Sequence, residues 1–343
     1  MRRIFFVATF ILLLCRVAMA EEIKNYTLDI SKVNQEASNL HVKCSFSLDF
    51  QDKDSVFMNF GGGQEFSIDN FNINSGDFEY ELHRESKSIV FRKVSSQKIS
   101  VSMAYNYTNL SSFFIYGKGD AELWETSFGE YFYPYLPNTF MDVALNVETP
   151  DSLSLICSYP LDSDDTMKYS GKFSRILSQS LTLAFIRDEA YQQTDEYIPG
   201  KLSIYQIKDM QCGKERYDEL LALTEAAIVF FGKVYGEDYI FAERNVTTLP
   251  VYLFHNGEGF SNRYNIGFIS ASQEKFSTKP DIYPLMHEIG HRWLGEWTLL
   301  IDDGQPGAYF IKETLNEFMT LMFIRYVCGN TYYETQLDWC KEI

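Results

Sequence analysis

Up to about residue 205 apolar and polar residues alternate with a period of two; beyond it they recur at steps of three and four. In "HVKCSFSLDF" Val42, Cys44, Phe46, Leu48 and Phe50 fall on one side and polar residues on the other. The pattern returns at Ile99, Val101, Met103 and Tyr105, at Met141, Val143, Leu145 and Val147, and at Leu181, Leu183 and Phe185. Strands buried on one face produce this alternation. Turn-like stretches such as "FGGGQE" and "INSGD" separate them. Gly61-Gly62-Gly63 lacks the Lys-Ser/Thr of a phosphate loop and reads as a hairpin turn. After "KLSIYQI", Leu220, Leu221, Leu223, Ile228, Phe231 and Val234 trace one helix face, with Gly236 as its stop. Strands are expected at "LPVYLF" and "IGFISA", then a helix with Pro284 in its first turn, then a helix from about Ala308 to Val327. The chain therefore divides into an antiparallel β domain over 21–205 and a mainly helical domain over 206–343, an α+β protein.

The first twenty residues stand apart. "MRRIFFVATFILLLCRVAMA" has two arginines, an apolar run from Ile4 to Leu14 and a small-x-small site at Ala18-Met19-Ala20. This is the pattern of a secretory signal peptide, 1–20, and its apolar run is too short to span a bilayer. An exported protein, periplasmic or secreted and without stable membrane insertion, is the expectation. Export permits disulfides among Cys44, Cys157, Cys212, Cys328 and Cys340, with Cys328 and Cys340 the local pair. Asn25, Asn106, Asn109 and Asn245 lie in glycosylation sequons. A net charge of −17 argues against a nucleic-acid partner, whose phosphates would be repelled.

The chemistry is concentrated in "LMHEIGHRWLG", which holds two of the five histidines. His287 and His291, four apart on a helix, share one face and can bind one ion. Zinc takes neutral imidazoles, needs a third protein ligand and leaves a position for water. Glu288, rotated about 100° from His287, stands beside the ion without coordinating it, placed to accept a proton from water. Leu285 and Ile289 project to the opposite side, toward a core. The third ligand should come from "KETLNEFMT", where Glu313 and Glu317 are four apart and either can reach the metal.

HEIGHRWLG followed by LNEF resembles the gluzincin zinc peptidases, in particular the aminopeptidase N-like family, with its HExxHxWxG and Leu-Asn-Glu motifs. His287, Glu288, His291, Trp293 and Gly295 match the first motif; Leu315, Asn316 and Glu317 match the second. The resemblance implies one Zn²⁺ per chain on His287, His291 and Glu317, with Glu288 as the catalytic base. It extends upstream through "WETSFGEYFYPYLPNTFMDVALNVETPDSLSLICSY" and "LALTEAAIVFFGKVYGEDY", and implies a thermolysin-like catalytic domain. Between His291 and Glu317 lie 25 residues, more than is usual in the family, and "IDDGQPG" (301–307) has the turn chemistry of an enlarged loop. The family's Gly-Ala-Met-Glu-Asn strand has no counterpart in "HNGEGFSNRYNIGFISAS", where Glu258 reads as a loop residue. The chain ends at Ile343, where family members continue into a helical lobe carrying an oxyanion-stabilising tyrosine; Tyr309, Tyr326, Tyr332 and Tyr333 are the tyrosines near that end. A partial catalytic domain without that lobe is the expectation.

Together these readings give a zinc-dependent, aminopeptidase-like hydrolase of exported or extracellular peptides. The alternative is a catalytically inactive zinc-binding relative that binds a peptide or partner, with aromatics such as those of "YFYPYLP" exposed for that purpose.

Overall fold

The computed structural model describes residues 23–34, 39–60, 66–74, 77–83, 85–109, 115–116, 123–126, 132–137, 139–157, 159–164, 167–178, 181–187, 191–198 and 202–207 of the strand-rich part. Of the remainder it describes 214–236, 249–254, 263–265, 268–272, 282–294, 307, 309–331 and 333–334. The segment expected to be a signal peptide (1–20), Gly61–Gly63 with their expected turn, Glu258, Tyr332, Asn245, Cys212 and Cys340 lie outside these residues, and with Cys340 the expected Cys328 pairing.

The alternating segments are strands, and their apolar sides form one core. A seven-stranded sheet runs in the order Asp162–Ser163, Lys168–Leu177, Phe140–Glu148, Ile23–Asn34, Asn39–Asp49, Lys98–Asn109 and Phe66–Ile73. Along Asn39–Asp49 burial alternates residue by residue, and Leu40, Val42, Cys44, Phe46 and Leu48 are all buried. Each large apolar side chain so buried contributes about 1.5–3 kcal/mol relative to exposure. The sheet is antiparallel as expected except at one seam, where Ile23–Asn34 pairs in parallel with Phe140–Glu148. Four register shifts in this sheet are associated with residues of positive φ: Asn25 and Lys32 in Ile23–Asn34, Arg175 in Lys168–Leu177 and Asn70 in Phe66–Ile73. Such β-bulges add a residue to one strand and increase its local twist.

Two smaller sheets accompany it. Ser55–Asn59, Ser88–Lys93 and Phe78–His83 form one; Leu153–Cys157, Leu183–Arg187, Leu123–Thr126 and Ile115–Tyr116 form the other. The segment "FYPYL", expected to expose its aromatics, instead fills the core. Phe132 and Tyr133 are fully buried, and Tyr135 and Leu136 nearly so. Tyrosine hydroxyls from several strands and from the segment itself satisfy its surroundings. Tyr26 donates to the Pro134 carbonyl and Tyr105 to that of Phe132, each at 2.7 Å, and Tyr133 donates to the Ser178 carbonyl at 2.9 Å. Backbone carbonyls without strand partners must be paired when buried, and tyrosine can do so while contributing a large apolar ring. The same burial pushes the Cys44 thiol up to about 12, so this cysteine is an inert core residue.

The second part is less helical than the periodicity suggested. Its five-stranded sheet has the order Tyr191–Ile198, Leu202–Ile207, Leu249–Phe254, Phe268–Ser272 and Arg263–Asn265. Leu202–Ile207 pairs in parallel with Leu249–Phe254, so strand pairing crosses the boundary placed near residue 205. Three helices follow the expected positions: α1 (Lys214–Tyr235), α2 (Ile282–Leu294) and α3 (Leu315–Cys328). Gly236 and Gly329, at φ +109° and +83°, end α1 and α3 in the conformation glycine adopts without steric cost. Among the described residues no helix is long and apolar enough to cross a membrane.

Candidate metal centre

Helix α2 carries the site because its two sides have different partners. Leu285, Met286 and Ile289 are fully buried and pack with Ala227 and Phe231 of α1 and with Leu321, Phe323 and Ile324 of α3. Trp293 stacks on Phe231 at 5.5 Å, and its indole nitrogen donates to the Gly236 carbonyl at 3.4 Å. Sheltered on two sides, the helix turns His287 and His291 toward the start of α3. Their rings lie 4.6 Å apart, edge to face.

The approach of α3 is fixed by Asn316, which is fully buried and donates from Nδ2 to the His287 carbonyl at 2.8 Å. It packs over Gly290, where a Cβ would overlap the Asn316 carboxamide oxygen and stand 3.0 Å from Phe231 Cζ. Gly290→Ala would gain up to about 1 kcal/mol of helix propensity, but overpacking this contact costs about 1–3 kcal/mol. The variant is therefore expected to be destabilised in urea denaturation; a gain in stability would show that α2 and α3 do not meet in this way.

Immediately before α3 the chain forms a π-helical turn, Phe310–Thr314. Such turns occur mostly as single insertions, frequently at functional sites. It carries Glu313, whose Oε2 lies 3.3 Å from His287 Nε2 and 3.5 Å from His291 Nε2. His287, His291 and Glu313 offer ligand atoms all within 4.8 Å of one another. The resemblance pointed to Glu317. The structure places Glu317 at the other ring nitrogen, its Oε2 2.9 Å from His287 Nδ1, with its Oε1 accepting the Tyr283 hydroxyl. Sequence spacing held a signal for Glu313, since 21 residues separate it from His291 against 25 for Glu317.

The donor set fits zinc. Two imidazoles and a carboxylate are ligands it takes readily, and ligands about 2.0 Å from one ion at tetrahedral angles stand about 3.3 Å apart. Protonation also suits it. Burial, and then the neighbouring His287, pull His291 down to about 4, so it is neutral at pH 7 and has no proton to surrender. The hydrogen bond from His287 holds Glu313 below its ordinary value against the opposing effect of burial, so it is ionised. Lys312, buried on the same turn, acts in the same direction on both. Glu288 follows His287 on α2 and is half-buried.

In the metal-free protein this arrangement has a pH signature. An unfolded histidine takes a proton at about 6.5, the buried His291 only at about 4. The unfolded state then binds more protons in that window, so the contribution is fully present above it and lost as pH falls through it. Denaturant midpoints at pH 7 and at about 4.5 are expected to fall further for the wild type than for His291→Gln. Equal falls would place His291 in water.

No protein-family model and no curated protein matches the sequence. Solved structures do match in fold. Leukotriene A4 hydrolase from Saccharomyces cerevisiae superposes with a TM-score of 0.63 at 13% identity, covering 92% of this chain and 51% of that one. The native yeast LTA4 hydrolase gives 0.64 and 13%, again over 92% and 51%. The yeast enzyme in complex with bestatin gives 0.63 and 12%, over 91% and 50%. The sheet-rich first part and the helices that follow thus share a fold with these hydrolases. The chain spans about half their length.

Proposed function

We propose that this chain is a zinc-dependent hydrolase of the aminopeptidase N-like type, acting on peptides outside the cytoplasm. The observation that carries the reading is the convergence of His287 Nε2, His291 Nε2 and one Glu313 oxygen, with Glu288 next to the first histidine. The shared fold and the HExxH signature support it, and the signal-like segment 1–20 supports export. In this reading the second part is a thermolysin-like catalytic domain.

His287, His291 and Glu313 would hold one zinc ion. Bound there, it would supply a more acidic water and an electrophile for the scissile carbonyl. Glu288 accepts the proton of the attacking water and passes it to the departing amine, so the amine leaves neutral. Asn316 holds the helix bearing Glu288 against α3, and the Trp293–Phe231 stack keeps its far end in place.

The test uses the full exported chain with a mixture of free and amino-terminally acetylated peptides, followed by mass spectrometry. Cleavage that stops on chelation and returns with zinc is expected. Sparing of the acetylated peptides would assign amino-terminal specificity. Absence of cleavage from zinc-loaded protein would contradict the peptidase reading and favour a zinc-binding relative without activity.

A further inference from the structure

Two stripes of side chains face each other between antiparallel elements. On α2, Tyr283, His287 and His291 recur every four residues; on the π turn and α3, Glu313 and Glu317 are four apart. Four-residue spacing keeps each stripe on one helix face. The pairing runs in opposite chain directions: Tyr283 meets Glu317, His287 lies between Glu317 and Glu313, and His291 meets Glu313.

We infer that Tyr283 is a positioning residue for the metal centre, acting through Glu317 on His287. This rests on the zinc reading above. The Tyr283 hydroxyl occupies Glu317 Oε1 and leaves Oε2 as the atom facing His287 Nδ1. That nitrogen is buried and has no aligned hydrogen-bond acceptor among the described residues; Glu317 Oε2, 2.9 Å away, is the oxygen positioned to take its proton. An imidazole whose Nδ1–H is held by a carboxylate presents the lone pair of Nε2, the nitrogen that faces Glu313 and His291. Tyr283 is itself buried, so its hydroxyl is held in place by packing and not by solvent. The geometry gives two carboxylates on one imidazole different tasks: Glu313 completes the ligand set and Glu317 orients the ring.

The test compares wild type, Tyr283→Phe, Glu317→Gln and the double variant by competition for zinc with a chromophoric chelator. Tyr283→Phe keeps the buried ring, so the thermal midpoint of its metal-free form is expected to stay near that of the wild type. Its zinc affinity is expected to fall by about 10-fold, within the 10- to 100-fold range of outer-shell losses. In the Glu317→Gln background the same substitution should add nothing, because the carboxylate it orients is gone. In the zinc-loaded protein the His287 Nδ1–H proton should resonate downfield in the wild type, as a proton held by a carboxylate, and move upfield in Glu317→Gln. Wild-type affinity in Tyr283→Phe, or effects that add in the double variant, would overturn the inference. Failure of the wild type itself to bind zinc would instead overturn the functional reading on which it rests.

Discussion

Glu313→Gln is expected to strip zinc from the protein, whereas Glu317→Gln is expected to keep it with lower affinity. The order follows from which nitrogen each carboxylate faces. Glu313 stands at metal-ligand separation from the Nε2 atoms of both histidines; Glu317 stands behind His287, at Nδ1. Removing the first leaves two neutral imidazoles and no anionic ligand. Its cost should exceed the about 10- to 100-fold loss that accompanies an outer-shell substitution. Gln has the same shape as Glu, so packing around the π turn is preserved and the change reports charge and donor strength. Zinc content after dialysis, measured by elemental mass spectrometry beside His287→Ala and His291→Ala, ranks the four. If Glu317→Gln lost the metal and Glu313→Gln retained it, the Leu-Asn-Glu match would be the better guide and the observed placement of Glu313 would not survive metal binding.

Glu288→Gln is the second large effect, of the opposite kind. Glu288 is adjacent in sequence to His287 but about 100° round the helix, so it belongs beside the ion and not on it. Its substitution should leave zinc content and affinity unchanged. Turnover of a cleaved peptide should fall by about 10²- to 10⁴-fold, the usual worth of a positioned general base. Because KM reports binding more than proton transfer, the loss is expected in kcat. A variant that kept wild-type turnover would remove Glu288 from the chemistry; one that lost zinc as well would make it a ligand.

How much of this was legible beforehand depended on whether a property is local. Strand positions such as Asn39–Asp49 and Lys98–Asn109 followed from alternation, since one side of each is buried. The helix stops at Gly236 and Gly329 followed from glycine's freedom at positive φ. The two histidines on one face of α2 were fixed by helical periodicity alone. Other features were set by what lay across from them. Alternation identifies a buried face without naming its neighbour, so the parallel seam between Ile23–Asn34 and Phe140–Glu148 was not legible. The "FYPYL" aromatics looked available because their segment is irregular, yet hydroxyls of Tyr26 and Tyr105 satisfy its carbonyls and let it be buried. Glu313 and Glu317 share a helix face in any sequence reading. Only the π turn and the antiparallel approach of α2 assign one to Nε2 and the other to Nδ1. Tyr283, one turn before His287, had the right spacing, but nothing in the sequence placed Glu317 opposite it.

The most direct measurement is the metal content of the protein, purified without added metal and dialysed exhaustively against a weak chelator. One zinc per chain, absent from His287→Ala and from Glu313→Gln, is the result expected. No retained zinc, with no rise in the thermal midpoint on adding it back, would mean that His287, His291 and Glu313 are a hydrogen-bonded cluster and not a metal centre.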